Sequence, residues 1–306
     1  MTRYRPNAPP ARDGVHASCA VLPSKGDWPL VLDYLAERFP RLSRSEWCAR
    51  MVQGDVLDTQ RQCVAPQTPF QPGQRLYYFR WQAEETPIPV QETVLYQDEH
   101  LLVADKPHFL PVIPSGKYVR ETLLVRLRVQ LGLEHISPIH RIDRDTAGLV
   151  LFSLQPDTRD AYQRLFRQRR VEKTYLAVAA WNPALTWPQR RETRIAEGDH
   201  FMQQEEVDGT PNALTHIEPL RVDGAHALYQ LRPVTGQRHQ LRVHMAALGL
   251  PIENDGIYPE LLPEGALDMN HPLQLLAHAI AFDDPLSGER RSFTSQRTLR
   301  LLAHGA

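Results

Sequence analysis

The spacing of apolar residues divides the chain into two stretches with different patterns. Residues 28–79 begin with helical spacing, because the segments WPLVLDYLAERFP and SEWCARMVQGDV each predict a helix. Ser43 can cap the second helix, and Gly54 can end it. Proline-rich turns follow, and the segment RLYYFRW predicts a closing strand. This stretch is therefore predicted to form a small unit of its own.

From about residue 93 onward, predicted strands and helices are mixed. The segments AGLVLFSL, EKTYLAVAAW and LQLLAHAIAF predict strands, and two hairpins are predicted, one at VLYQDEHLLVADKP and one turning at Asp223-Gly224. Helices are predicted at ETLLVRLRVQLG, TRDAYQRLFRQRR and QRHQLRVHMAALG. Strands outnumber helices and do not alternate with them regularly. The predicted fold class is therefore α+β, with a mixed, mainly antiparallel sheet and flanking helices.

The two patterns are separated by an acidic stretch with two prolines. Residues 82–92 show no periodicity and are the predicted linker. The amino terminus has arginines but no apolar segment after them, so it does not resemble a secretory signal, and residues 1–20 are predicted to form a disordered arm. The predicted domains are then residues 21–81 and residues 93–306.

Composition restricts the class of protein without identifying it. The chain has 306 residues, of which 42% are hydrophobic and 23% charged, as expected for a globular protein with a packed core. No apolar run is long enough to span a membrane. Three cysteines without Cys-x-x-Cys spacing predict neither a disulfide framework nor a zinc site, so a cytoplasmic location is expected.

The net charge of −1 argues against a protein that is basic over its whole surface. A local basic patch is still visible, because residues 159–173 contain five arginines and one lysine against two acidic residues. Such a segment can contact nucleic acid, but on charge alone a solvated helix face is the preferred interpretation.

Ionisable residues are densest in the segment His140–Gly148, directly before an apolar strand. This segment contains two carboxylates, Asp143 and Asp145, together with two arginines and a histidine. It could be an ordinary polar connection, with threonine and glycine as turn residues. The density of charge favours a functional loop, because loops held on a rigid sheet often carry active-site residues.

Two further segments carry candidate chemistry. Arg238 and Arg242 are four residues apart, so they are predicted to share a helix face, where an arginine could hold a distant carboxylate in its ionised form. Both could equally be exposed to solvent, and the pattern does not decide. Lys173 and Tyr175 are predicted to share one face of a strand, although an isolated tyrosine in a strand is more often part of the core.

Together these segments resemble pseudouridine synthases of the large-subunit ribosomal A type. The family signature is His-Arg-Leu-Asp-x-x-Thr-Ser-Gly-Leu, and the segment from His140 to Leu149 matches it with isoleucine and alanine replacing one leucine and the serine. The resemblance covers residues 93–300. The other matching motifs stand in the family's order: Asp105-Lys106-Pro107, Lys173-x-Tyr175, Thr235-Gly236, His239 to His244, Gly249-x-Pro251-Ile252, Asp255, Tyr258 and Leu276-x-His278.

The resemblance implies an enzyme that isomerises uridine to pseudouridine in structured RNA without a cofactor or a metal ion. It assigns Asp143 as the catalytic carboxylate, Arg242 as its salt-bridge partner, and Tyr175 as a residue that lies against the uracil ring and assists loss of the C5 proton. Whether Asp143 attacks a carbon, stabilises positive charge or removes a sugar proton stays open. Asp145 receives no role.

The resemblance also implies RNA contacts. Arg141 would occupy the space left by a flipped uridine, and Lys106 and the basic segment would contact phosphates. Residues 21–81 resemble the alpha-L RNA-binding motif, although Leu57-Asp58 replaces its usual asparagine-glycine turn. Ribosomal RNA of the large subunit is the expected substrate, transfer RNA the alternative, and a monomer is expected. The further predicted RNA-binding residues are Lys173, Arg238, His239 and Arg44.

Three other functions are alternatives to this hypothesis. The pair Asp143 and Asp145 also resembles that of haloacid-dehalogenase-type phosphatases, but those need a long apolar strand before the first aspartate. The 13 histidines could suggest a metal hydrolase, yet His239 and His244 are five apart with no glutamate between them. A protein that only binds RNA would not need the catalytic residues that this chain retains.

Overall fold

The computed structural model describes residues 8–80, 85–263 and 268–300. The chain forms two compact units. The first contains the residues up to Thr86 together with residues 114–120 and 125–134, and the second contains residues 87–113, 121–124 and those from His135 onward. Two segments of the predicted domain 93–306 therefore group with the amino-terminal residues.

Long-range contacts explain this grouping. Val15 packs against Val119 and Val125 in a small buried cluster of the first unit. The carboxylate of Glu85 also accepts hydrogen bonds from the backbone N–H groups of Val119 and Arg120 at 2.7 and 2.8 Å. Local composition cannot reveal such contacts, because the participating residues are far apart in sequence.

The first unit combines two helices with a small antiparallel sheet. Its second helix begins with the predicted cap: the Glu46 backbone N–H donates to Ser43 Oγ at 3.2 Å, and the Ser43 N–H donates to the Glu46 carboxylate at 2.7 Å. Trp47 and Leu35 lie in its core. The strand order is β1-β3-β2. The elements are β1 (Ser18–Val21), α1 (Val31–Arg38), α2 (Arg44–Val52), β2 (Val56–Leu57) and β3 (Arg75–Tyr78).

The predicted disordered arm was too long. Ser18–Val21 is a strand paired with β3, and Arg12 pairs with Val15 in an isolated bridge, so ordered structure begins well before residue 20. Pairing with a strand more than fifty residues away gives no local sequence signal. Residues 1–7 of the arm and residues 82–84 of the predicted linker lie outside the described residues, and residues 85–92 contain neither helix nor strand.

The second unit is built on one large sheet. The strand order is β10-β9-β11-β12-β8-β13-β7-β5-β4, with β14 paired to β13 and β6 to β7. All of these pairs are antiparallel except the short parallel pair of β13 with β7. The strands are β4 (Thr93–Gln97), β5 (Leu101–Lys106), β6 (Ser137–Pro138), β7 (Ala147–Ser153), β8 (Glu172–Ala180), β9 (Gln189–Glu197), β10 (Gln204–Val207), β11 (Ala213–Asp223), β12 (His226–Pro233), β13 (Leu275–Asp283) and β14 (Arg290–Thr294).

Three further helices complete the described elements: α3 (Leu123–Leu131), α4 (Arg159–Arg167) and α5 (Gln240–Ala247). All were predicted, as were most strands. The missed strands are β1, β2, β6, β9 and β10. Strand β9 is polar on both faces over most of its length, so it offers no apolar alternation. No helix within the described ranges is long and apolar enough to cross a membrane.

The strand pair β7–β13 approaches most closely at Gly148, directly after the dense polar loop. Gly148 has φ +109°, and a Cβ atom there would lie 2.3 Å from the backbone oxygen of Ala277. The approach therefore requires glycine both for the backbone conformation and for space. This contact fixes the end of the loop that carries Asp143 against the centre of the sheet.

Gly148→Ala is expected to destabilise the protein strongly, because its Cβ would collide with backbone atoms that cannot rotate away. Gly224→Ala is the matched control, since Gly224 also has a positive φ of +58° but nothing lies within 4 Å of its Cβ position. The control should lower the free energy of unfolding by about 1 kcal/mol, the usual cost of a left-handed residue. Urea denaturation checks this, and equal losses in the two variants would contradict the packing argument.

Candidate active site

The polar loop that carries Asp143 connects β6 to β7, and a buried lysine stabilises it through hydrogen bonds to the backbone. Lys106 is fully buried, and its Nζ donates to the backbone oxygens of Pro107 and Arg144, both at 2.9 Å. Burial lowers the pKa of Lys106 to about 7, although the charges of Asp145 and Asp143 act in the opposite direction. The prediction that Lys106 contacts RNA phosphates was wrong, because its ammonium group cannot reach solvent.

Three other ionisable residues of this loop, His140, Arg144 and Asp145, form contacts that stabilise its conformation. The carboxylate of Asp145 is buried and accepts from Arg144 Nε at 2.8 Å, while the Asp145 backbone oxygen lies 2.7 Å from His108 Nδ1. His140 accepts a hydrogen bond from the Leu151 backbone and stacks on a neighbouring ring. Burial lowers the pKa of His140 to about 3, so its ring is neutral. Of the two carboxylates in the loop, Asp145 is thus bonded to a loop residue. In the described contacts, Asp143 has no such bond within the loop.

Asp143 lies opposite a buried arginine. Its side chain is 30% exposed, so a substrate can reach it, whereas the Arg242 side chain is only 2% exposed. Arg242 Nη1 lies 3.5 Å from Asp143 Oδ2, and His239 Nε2 lies 3.9 Å from Asp143 Oδ1. The predicted pairing of Arg242 with Asp143 is therefore present in the structure, as a loose contact.

The closest partner of Arg242 is a second carboxylate. Asp255 accepts from Arg242 Nε at 2.8 Å and from Arg242 Nη2 at 2.6 Å, and its side chain is fully buried. The ring of Tyr258 lies against the same guanidinium group, and its centroid is 5.4 Å from Arg242 Cζ. Asp255 and Tyr258 match family motifs in the sequence, but neither of them was predicted to have a role. Their spacing from Arg242 provides no local signal of the contact.

His239 and Arg238 stand at the turn before α5, and their positions differ from the prediction. The helix begins at Gln240, and His239 has a left-handed backbone with φ +54°. Arg238 therefore does not share a helix face with Arg242. It is exposed and donates to the backbone oxygens of Phe201 and Met202 at 2.9 and 3.3 Å.

The left-handed turn at His239 is imposed by hydrogen bonds of the Gln240 side chain. Its amide oxygen lies 2.7 Å from Thr235 Oγ1 and 3.0 Å from the Gln237 backbone N–H. Its amide nitrogen donates to the Leu214 backbone and to Thr215 Oγ1. Gln240 is thus bonded on both sides and fixes the start of α5, the helix that presents Arg242.

Tyr175 and Lys173 lie on β8 and are partly buried. Burial raises the pKa of the Tyr175 hydroxyl, and the negative charge of Asp143 raises it further. The Tyr175 hydroxyl therefore stays protonated. Lys173 donates its Nζ to the Thr235 backbone oxygen at 2.8 Å, and burial lowers its pKa to about 8. Its ammonium group is thus bonded within the protein.

The last two predicted RNA contacts are exposed. Arg141 lies on the polar loop, two residues before Asp143, and its side chain is accessible to solvent. Arg44 lies in the first unit at the start of α2, where it pairs with Asp33 at 3.0 Å. His244, a metal-ligand candidate in the sequence, has both ring nitrogens near hydroxyl groups, 3.1 Å from that of Thr193 and 2.9 Å from that of Thr215.

Comparison with known proteins identifies the family. A family model described as RNA pseudouridylate synthase matches residues 100–247. The uncharacterized RNA pseudouridine synthase slr1592 of Synechocystis is 31% identical to this chain, over 74% of this chain and 79% of that protein. The dual-specificity RNA pseudouridine synthase RluA of Salmonella typhi is 31% identical, over 65% of this chain and 90% of RluA. The chain belongs to the RluA-type RNA pseudouridine synthases.

The fold of the synthase agrees with this assignment. The structure of human RNA pseudouridylate synthase domain containing 1 matches 70% of this chain and 86% of that protein with a TM-score of 0.57 and 22% identity. The α+β fold class predicted from the sequence is confirmed. The synthase is therefore an isomerase that acts on RNA, and the phosphatase alternative is wrong.

Proposed function

We propose that Asp143 is the catalytic carboxylate of this synthase and that the substrate is ribosomal RNA of the large subunit. One observation carries the catalytic assignment. Asp143 combines solvent access with a contact to a buried arginine, and the neighbouring Asp145 is buried and already bonded to Arg144. A reacting carboxylate must be accessible to the substrate, and Asp143 is accessible and lies beside a buried cation.

The chemistry explains why an ionised carboxylate is needed. Forming pseudouridine breaks the N1–C1′ bond, rotates the uracil and joins C5 to C1′, while N1 gains a proton and C5 loses one. Asp143 can drive the first step by attacking C1′ or by removing a proton from the sugar. Both routes use a free oxygen lone pair of the carboxylate. The cation of Arg242 stabilises that ionised form.

Tyr175 is proposed to lie against the uracil ring near Asp143. Since burial keeps its hydroxyl protonated, Tyr175 is suited to pack on the base and to donate a hydrogen bond. The protonated phenol cannot accept the C5 proton unless it first gives up its own hydroxyl proton. Its proposed role is therefore to hold the detached uracil while the ring rotates.

Arg141 is proposed to replace the target uridine in the RNA helix. A uridine stacked in a helix must be extruded before its glycosidic bond can be reached. Arg141 is exposed and lies in the same loop as Asp143, so its side chain can fill the space that the flipped base leaves. A planar guanidinium group can also stack on the bases above and below.

The surface around α4 is proposed to contact phosphates. Arg164, Arg167, Arg169 and Arg170 are all exposed, and only the first two pair with an acidic residue in the described contacts, both with Asp160. Clustered exposed arginines give an affinity for nucleic acid that depends on salt but not on sequence. They would position the RNA backbone, while the catalytic loop contacts the target nucleotide.

The choice of ribosomal RNA rests on the first unit, which resembles an alpha-L RNA-binding motif, and transfer RNA is the alternative. Pseudouridine mapping of total RNA from cells with and without this gene tests the proposal. Loss of a pseudouridine from large-subunit ribosomal RNA is expected. Loss from transfer RNA alone would contradict the substrate, and an unchanged map in both RNA classes would contradict the proposed function as a whole.

Arg44→Glu is expected to weaken binding of a large structured RNA without changing the rate at saturation. Arg44 is exposed on the first unit, and reversing its charge removes one phosphate contact. The slope of log K against log salt should fall by about 1. Filter binding at several salt concentrations measures this, with Glu37→Gln on α1 as the control. An unchanged affinity and slope would show that α2 does not contact RNA.

A further inference from the structure

We propose that Asp255 is a positioning residue for the isomerisation, because it holds Arg242 so that one guanidinium nitrogen faces Asp143. This inference rests on the proposed role of Asp143. It assigns a function to a buried carboxylate that does not touch the substrate itself. Asp255 acts through Arg242, and Arg242 acts on Asp143.

The hydrogen bonds to Asp255 determine which guanidinium nitrogen of Arg242 remains free to contact Asp143. The Arg242 guanidinium is planar and has three nitrogens, of which Nε and Nη2 are bonded to the two oxygens of Asp255 at 2.8 and 2.6 Å. A bidentate contact of this kind fixes the plane of the group as well as its position. The remaining nitrogen, Nη1, then points to Asp143 Oδ2 at 3.5 Å.

Asp255 is itself rigidly held. Its Oδ1 accepts the backbone N–H groups of Ile257 at 2.8 Å and Tyr258 at 3.1 Å, and its side chain has no exposed surface. The Tyr258 ring lies against Arg242, and the Tyr258 hydroxyl accepts the Gln204 N–H at 2.7 Å. Arg242 is therefore held by two residues of the same turn, so this turn sets the distance to Asp143.

Because Arg242 is shared between two carboxylates, it makes only one contact with Asp143. Without Asp255, the guanidinium group of Arg242 could rotate and form a bidentate contact (a fork of two N–H groups) with both carboxylate oxygens of Asp143. A carboxylate bonded in that way has fewer free lone pairs for the substrate. With Asp255 in place, the contact stays single and long, so Asp143 is kept near a cation but remains available to react.

The test compares Asp255→Asn with Asp284→Asn in the full-length protein. Asp284 is a matched control, because it is also buried and its Oδ1 also accepts the backbone N–H groups two and three residues later, at Leu286 and Ser287. It lies in the turn between β13 and β14 and does not contact Arg242. Both variants should lower the melting temperature, so stability alone cannot distinguish the roles.

The distinguishing measurement is the single-turnover rate at saturating RNA, together with RNA affinity. Asp255→Asn is expected to lower the rate about 10-fold to 100-fold, the effect of losing a charged hydrogen bond, with affinity nearly unchanged. Asp284→Asn should keep the wild-type rate. In an Arg242→Lys background, where the fork is already lost, Asp255→Asn should lower the rate further by less than about threefold.

Several outcomes would overturn the inference. A wild-type rate for Asp255→Asn, or an equal loss in the Arg242 and Arg242→Lys backgrounds, would reduce Asp255 to a structural residue. If Asp255→Asn does not fold, Arg242→Lys alone decides, because a wild-type rate without the fork would also overturn it. Asp143→Asn is assayed in parallel. An active Asp143→Asn variant would contradict the proposed function. An inactive Asp143→Asn variant together with a wild-type rate for Asp255→Asn would contradict this inference only.

Discussion

Asp143→Asn is expected to abolish pseudouridine formation while leaving the protein folded and able to bind RNA. The amide has no negative charge, so it can neither attack C1′ nor remove a sugar proton. The single-turnover rate should fall by about three to four orders of magnitude, as when other enzymes lose a group that acts on the reacting atoms. Because the Asp143 side chain is 30% exposed and only loosely paired, stability should change little.

Asp145→Asn is the control for this result. Asp145 lies two residues later but is buried and bonded to Arg144 at 2.8 Å, so it holds the loop and is less accessible than Asp143. Its substitution should lower stability more than Asp143→Asn does and lower the rate far less. Mass spectrometry of digested RNA gives the rates, and filter binding gives the affinities. A well-folded Asp143→Asn variant that still forms most of the pseudouridine would disprove the assignment.

Arg242→Met has the second largest expected effect, and it combines a loss of rate with a loss of stability. Removing the cation deprives Asp143 of its fixed charge partner, which should lower the single-turnover rate by about 10² to 10³. It also leaves Asp255 as an unpaired, fully buried carboxylate. Breaking a buried ion pair in this way costs about 3–5 kcal/mol of folding free energy, so the melting temperature should fall markedly.

RNA affinity separates this role from a phosphate contact. The Arg242 side chain is only 2% exposed, so the Arg242→Met variant should bind RNA almost normally once it is folded. Arg238→Met is the comparison, because Arg238 is exposed on the turn before α5 and its loss should weaken binding without a large change in rate. If Arg242→Met lost affinity in proportion to its rate, Arg242 would be assigned to phosphate binding.

Much of the fold was predictable because its signals are local. The capping box of Ser43 and Glu46 lies within four residues. The hairpin of β11 and β12 was also predicted, and its loop is Gly224-Ala225, one residue after the predicted Asp223-Gly224. Strand β7 is buried along its whole length, which matches its continuous apolar sequence. In each case, the residues that determine the element are neighbours in the chain.

The parts that sequence did not predict depend on distant contacts. Lys106 was assigned to RNA phosphates from the family resemblance, but the strand pairing of β5 and the loop before β7 bury it completely. Arg238 was placed on a helix that in fact starts two residues later, since the side chain of Gln240 holds a left-handed turn there. Asp255 received no role, because its partner Arg242 lies on another element.

The most direct test of the central claim is a tritium-release assay with purified protein. When C5 of uracil becomes bonded to C1′, the hydrogen on C5 is released to water, so RNA labelled at this position reports each isomerisation. The protein is incubated with labelled large-subunit ribosomal RNA. We expect the wild type to release tritium to a fixed stoichiometry per RNA, and Asp143→Asn to release none while binding the same RNA equally well. Equal release by both proteins would contradict the role assigned to Asp143.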